Sequence, residues 1–173
     1  MSSLVRIVYA STAANPSSPT DSGINHDVGR ILMQSRKDNR EKQIGGVLYF
    51  SNDYFFQCLE GDSAAVNALF NKISQDPRHT DVRSLSVKPV EKRLFSDWSM
   101  KYVALQDDVN RLLEANHFKM FEPYEFSDAL IDQMLELFVI ANDPTAKDEP
   151  VSKQKTSKKS SWPGRVLKRL MGK

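Results

Sequence analysis

The run Leu4-Val5-Arg6-Ile7-Val8-Tyr9 is β-branched and almost wholly apolar, which predicts a first, central strand. Ser11 to Gly23, rich in Ser, Pro, Asn and Thr, reads as a loop. From Asp27 to Asn39 the pattern changes period: Val28, Ile31, Leu32 and Ser35 recur at three- and four-residue spacing, the signature of a helix. Ile44–Phe50 and Tyr54–Leu59 return to strand character around a turn at Ser51-Asn52-Asp53. Asp62 or Ser63 can cap a second helix with apolar positions Val66, Leu69, Phe70 and Ile73, and Asp76-Pro77 ends it. Val82–Val90 and Trp98–Leu105 read as further strands. Two more helical patterns, Asp107–Asn116 and Ser127–Asn142, follow; the second carries Leu130, Ile131, Met134, Leu135, Leu137 and Phe138. The order β-α-β-β-α-β plus a fifth strand predicts an α+β ferredoxin-like sandwich, with the two C-terminal helices covering the other sheet face.

One polar residue interrupts the most apolar strand. In Tyr54-Phe55-Phe56-Gln57-Cys58-Leu59, the residues Phe55, Gln57 and Leu59 share one face, and Tyr54, Phe56 and Cys58 the other. A buried carboxamide must satisfy two donors and an acceptor, or cost about 1–3 kcal/mol. Such a group can also reverse its hydrogen bonds without a change of charge. A Gln on an edge strand, reaching solvent, would be the plain alternative. Tyr9 shares a face with Val5 and Ile7 and can lie beside Gln57 if the two strands are neighbours. Its hydroxyl, once buried, needs a partner, which a core tyrosine could also find locally. Ile31, Ser35 and Asn39 form a ridge on the first helix, and Ile73 and Asp76 a second ridge on the other. Ordinary core positions would give the same isoleucines, and Asn39 would serve equally as a helix C-cap.

At 173 residues and 40% hydrophobic content, the chain suits one domain with extensions. No apolar run approaches the roughly 20 residues that cross a bilayer, and the N-terminus lacks signal-peptide character, so a cytoplasmic location is expected. The single Cys58 agrees with a reducing compartment, and His26, His79 and His117 are too scattered for a metal site. The net charge of +2 hides an asymmetry. Residues 151–173 hold eight Lys or Arg and no acid, which leaves the rest at about −6. Composition from Asp143 onward predicts a disordered basic tail, with a short amphipathic pattern over Trp162–Met171. Three roles fit it: an inert solvated segment, a contact with a membrane surface, or docking to nucleic acid or an acidic protein.

Several motifs occur together in a fixed order: Val8-Tyr9-Ala10-Ser11, Ser35-Arg36-Lys37-Asp38-Asn39, Ile44-Gly45-Gly46-Val47-Leu48-Tyr49, Phe55-Phe56-Gln57-Cys58-Leu59-Glu60-Gly61, Asp76-Pro77-Arg78-His79 and Trp98-Ser99-Met100. Together they resemble the BLUF domain, a blue-light sensor module that uses FAD, over residues 4 to 105. The resemblance implies an isoalloxazine ring between the two helices. Tyr9 and Gln57 would form the photoactive pair, with Gln57 also meeting the ring and Asn39 holding its carbonyl and imide edge. Ile31, Ser35, Leu48, Phe55, Ile73 and Asp76 would complete the flavin site. Arg78 and His79 follow the second helix and could reach the ring edge, the alternative being two exposed loop residues. Trp98 and Met100 share parity on the expected last strand, and either could be the one beside Gln57. Light would rearrange hydrogen bonds among Tyr9, Gln57 and the flavin without a covalent adduct or net redox change.

The resemblance implies a division into a flavin module at 1–105, a helical extension at 106–142 and the tail at 143–173. No phosphate loop, nucleophile elbow or acidic cluster is present, so no enzyme activity is expected. The signal would leave through an unidentified protein partner or a change in self-assembly. Two rival readings share the fold. An RNA-binding module would stack bases on Tyr54 and Phe56, against an acidic body and without the usual Lys/Arg-Gly-aromatic motif. A flavin reductase would bleach under reduction rather than shift its colour reversibly.

Overall fold

The computed structural model describes residues 3–16 and 25–145. Its centre is a five-stranded sheet built from β1 (Leu4–Ala13), β2 (Gly45–Ser51), β3 (Tyr54–Asp62), β4 (His79–Pro89) and β5 (Lys101–Val103). The spatial order is β4-β1-β3-β2-β5. β1 pairs antiparallel with both β3 and β4, β2 antiparallel with β3, and the short β5 runs parallel to β2. This is the expected ferredoxin-like arrangement with a fifth strand, and β1 is indeed interior.

Side-chain alternation along each strand divides the core in two. Val5, Ile7, Tyr9, Leu48, Phe55 and Leu59 face α1 (His26–Glu41) and α2 (Ser63–Ser74). Val8, Val47, Tyr49, Phe56 and Cys58 face α3 (Gln106–Ala115) and α4 (Asp128–Ile140). The second layer is dense in aromatic rings: Phe56 meets Phe121, Phe126 and Phe138 at 6.3, 6.2 and 6.0 Å. Phe56 is therefore buried under the C-terminal helices, and Tyr54 is half-buried against Tyr124. The stacking platform that RNA recognition would require is covered.

Side-chain caps start α1, α2 and α4, whereas α3 follows Leu105, which offers none. The Asn25 carboxamide accepts from Asp27 N–H, the Asp62 carboxylate from Ala64 and Ala65 N–H, and Ser127 Oγ from Leu130 N–H. These caps settle the boundaries that apolar periodicity leaves loose.

Several expected boundaries differ, and β3 runs on to Asp62 rather than ending at Leu59. Ser11 to Ala13 continue β1, because they still pair with β3 and β4. β4 begins at His79 rather than Val82 for the same reason. The strand expected over Trp98–Leu105 shrinks to 101–103. Residues 91–100 instead fold into turns pinned by Glu60, a fully buried carboxylate on β3. Its oxygens accept from Leu94 N–H at 3.1 Å, Phe95 N–H at 3.0 Å and Arg6 Nε at 2.6 Å. The strand-parity rule therefore does not govern Trp98 and Met100. The tail and its amphipathic pattern lie outside the described residues, apart from 143–145.

The same turn presses on β2. A Cβ added at Gly45 would stand 2.5 Å from the Phe95 carbonyl oxygen, a contact with backbone that cannot swing away. Gly45→Ala is expected to lower the free energy of unfolding by about 1–3 kcal/mol, as overpacking in a well-filled interior does, measured by urea denaturation.

Candidate functional site

β1 and β3 place Tyr9 and Gln57 directly opposite one another, and both residues are fully buried. Tyr9 Oη donates to Gln57 Oε1. Gln57 Nε2 in turn lies 3.5 Å from Met100 Sδ, within donation distance for a sulfur acceptor. The amide thus has its acceptor filled by a phenol and a donor directed at a thioether. Burial, reinforced by the Asp76 charge, pushes the Tyr9 phenol pKa far up, so the hydroxyl keeps its proton at any ordinary pH.

These three side chains sit at the inner end of an open, narrow cleft between α1 and α2. Ile31, Ser35 and Asn39 line it from α1, Ile73 from the end of α2, and Asp76, Arg78 and His79 from the segment that follows. Asp76 lies beyond the last residue of α2, so its ridge with Ile73 is continued by a turn rather than by helix. Aliphatic side chains on facing walls, with polar groups at the inner end and around the mouth, suit a flat heteroaromatic ligand.

Three expected residues stand elsewhere. Leu48 and Phe55 have the right parity but lie in the core behind the lining. Leu48 pairs across the strands with Gln57, and the Phe55 ring packs 4.6 Å from the His79 ring. Trp98 also turns away. It is partly exposed, helps line a separate polar hollow with Arg40, Gln43 and Arg93, and lies 5.5 Å from Lys101 Nζ. Met100 is the buried one, and it is the neighbour of Gln57.

Sequence reasoning missed Gln34, Asp38, Leu59, Leu69 and Lys72, all of which line the cleft. Leu59 was available from its shared parity with Gln57, and Gln34 and Asp38 from their spacing of four beside the Ser35 ridge. Asp38 and Lys72 face one another across the mouth at 3.8 Å. Arg78 spans it too, with Nη2 2.9 Å from Gln34 Oε1 and 2.5 Å from Asp76 Oδ2. Hydrogen bonds from Arg78 hold the Asp76 carboxyl down to about 2, and the same pair raises Arg78.

Asn39 carries the unmet demand of the site. Its Nδ2 donates to Ser99 O at 2.8 Å, yet Oδ1 is buried and, among the described residues, is the one buried side-chain polar atom with no partner. An orphaned acceptor in a cleft wall fits a ligand that brings an N–H, as the imide edge of a flavin does.

His79 is almost fully buried, with Nδ1 2.7 Å from Ser11 Oγ. Burial lowers its pKa to about 4, opposed by Asp76 and assisted by Arg78. In the unfolded chain an ordinary histidine titrates near 6.5, so between about 6.5 and 4 the unfolded state binds more protons than the fold. Stability is therefore expected to fall as pH is lowered through that window, and His79→Gln should flatten the fall. Melting temperatures at half-unit pH steps would show it. Asp76, depressed from 3.8 to about 2, loses its contribution in a separate window further down.

Residues 4–101 match the family model described as sensors of blue-light using FAD, BLUF. Photoactivated adenylate cyclase subunit beta of Euglena gracilis is 32% identical over 131 residues, which is 70% of this chain and 14% of that protein. Its Euglena longa counterpart is 32% identical over 133 residues, 71% of this chain and again 14% of the relative. The chain thus spans about one seventh of the length of these curated relatives. Among solved structures, the photo-activated state of BlsA superposes with a TM-score of 0.74 at 30% identity, covering 83% of this chain and 99% of that one. The dark state of BlrB, a BLUF protein, gives 0.65 at 26% identity over 80% and 97%.

Proposed function

The chain belongs to the BLUF family, the sensors of blue light using FAD, and we propose that it senses light by reversing the hydrogen bonds of one buried amide, Gln57. FAD, when bound, supplies the absorption of blue light and an excited state that accepts an electron. Everything else is geometry supplied by the protein. Asn39 would meet the polar edge of the ring, its orphaned Oδ1 taking the imide N–H. Ile31 and Ile73 would close on the two ring faces, with Ser35, Asp76, Arg78 and His79 around the rim. Tyr9 would give both the electron and the proton, and its phenol already points its proton at Gln57 Oε1.

The observation that carries this reading is the direction of the two bonds at Gln57. In the present arrangement Oε1 accepts from Tyr9 and Nε2 donates towards Met100 Sδ. Turning the carboxamide over would bring Nε2 to Tyr9, whose oxygen must then accept. It would also bring Oε1 to a thioether that has no proton to give. The reversed state is costlier within the protein, so it relaxes in the dark. Non-covalent binding suffices for such a cycle, and no side chain is consumed.

Residues 1–105 act as the flavin module and 106–142 as the extension through which the change is felt. The output is a protein partner or a change in self-assembly rather than an enzymatic reaction of this chain, and the chain acts in the cytoplasm. The basic residues at 151–173 are the candidate contact for a membrane surface, nucleic acid or an acidic protein.

Purified protein is expected to be yellow, and blue light should produce a small red shift that reverses in the dark. Tyr9→Phe should keep the flavin and lose the shift, as seen by difference absorption; a shift of normal size in that variant would rule out the phenol as a participant. Asn39→Ala should weaken flavin binding by about tenfold in a fluorescence titration, the value of one hydrogen bond in a buried site. A pull-down in the dark and under blue light should recover a partner in only one state.

A further inference from the structure

Met100 lies one residue outside the sheet. β5 pairs with β2 only from Lys101 to Val103, so the ladder does not fix the residue whose sulfur meets Gln57. Two side chains of α1 take over. Asn39 Nδ2 holds the carbonyl of Ser99 at 2.8 Å, and one turn earlier Arg36 Nε holds the carbonyl of Met100 at 3.0 Å. Arg36 is itself fixed from behind: Nη2 lies 2.6 Å from Asp143 Oδ2 and 2.8 Å from Thr145 Oγ1. The Asp143 side chain has no exposure at all. It also accepts from Tyr102 N–H at 2.8 Å through Oδ2, and from Thr145 N–H at 2.8 Å through Oδ1. A guanidinium forked between a backbone carbonyl and a buried carboxylate is rigid, and no other cation has donors in that geometry.

We propose that Arg36, locked by Asp143, is a positioning residue that holds Met100 against Gln57 and so sets the rate at which the lit state returns to the dark state. This rests on the reading of Gln57 as the light switch. A firmly held sulfur forms the acceptor that the dark arrangement needs and offers nothing to the reversed amide oxygen. If Met100 could drift away, the dark arrangement would lose its acceptor, the gap between the two states would narrow and the reversed amide would last longer. The assignment also makes Asp143, just after α4, part of the switch through one ion pair.

The test uses the full-length protein with FAD bound and reads dark recovery after a blue pulse by absorption. Arg36→Gln should retain flavin and slow recovery by about tenfold, equivalent to a change of about 1.4 kcal/mol in the barrier. Asp143→Asn should slow it in the same direction. Arg36→Lys keeps a charge for Asp143 but cannot fork to both partners. It should melt within a few degrees of the parent and still recover slowly, which a merely stabilising ion pair would not predict. In a Met100→Leu background, Arg36→Lys should have no further effect. Recovery of the Arg36 variants at the parental rate or faster, or an undiminished effect without Met100, would overturn the proposal while leaving the switch intact. Parent protein that binds flavin and shows no reversible shift would instead remove the reading of Gln57, and this inference with it.

Discussion

A neutral amide in the middle of an apolar sheet is the constraint around which this molecule is arranged. Gln57 occupies an interior strand, so water cannot serve its polar atoms, and each one left unmet costs about 1–3 kcal/mol. The partners must come from the chain at fixed places. Tyr9 arrives through strand register, as the residue opposite Gln57 on β1. A slip of one position would turn Tyr9 to the other face and leave both groups stranded, so register here is set by chemistry as well as by packing. Met100 arrives by a different route, through a turn held to β3 by the Glu60 carboxylate and to α1 by Asn39 and Arg36. The switch is therefore assembled from one rigid partner and one that is tied in place.

Charge is distributed to protect that arrangement. At the inner end of the cleft the groups are neutral: an amide, a phenol kept protonated by burial, and a histidine whose pKa burial lowers to about 4. The ionised groups stand at the mouth, as the pairs Asp38–Lys72 and Asp76–Arg78. Such exposed or half-exposed pairs add little stability, on the order of 1 kcal/mol or less each. Of these charges Asp76 is felt at the inner end, where it adds to burial in keeping the Tyr9 phenol protonated.

Much of this was legible in the chain. Strand parity put Tyr9 and Gln57 on one face, and three- and four-residue spacing put Ile31, Ser35 and Asn39 on one ridge. Both rules concern regular elements, and they held where the elements were regular. They failed at Trp98–Met100, which the sequence assigns to a strand running on to Leu105 and the structure leaves in a turn. The backbone there follows the hydrogen bonds of Glu60, whose side chain is remote in sequence. Parity consequently could not decide between Trp98 and Met100; the turn does. Leu48 and Phe55 show the converse limit. A shared face places a residue on the correct side of the sheet, but only packing decides whether it forms the wall or stands behind it. Asp143 lay beyond reach for a third reason: its role depends on α4 ending beside β5, a tertiary fact with no local signature.

The two faces of the sheet also bear on how a change at the cleft could leave it. Gln57 and Phe56 are neighbours on one strand and point to opposite cores, so the amide and the aromatic layer under α4 share a backbone. Adjacency of that kind does not make a route, because close-packed rings such as Phe56, Phe121 and Phe138 offer no second arrangement to be selected. The edge at β5 is different in kind. There a three-residue strand, a buried carboxylate and a forked guanidinium meet the end of α4, and Lys101 Nζ donates to the Val139 carbonyl at 2.9 Å. Directional bonds can be made or broken as discrete states, whereas packing resists in proportion to displacement. If the helical extension responds to light, the physics favours its entering through that edge and not through the ring-filled interior.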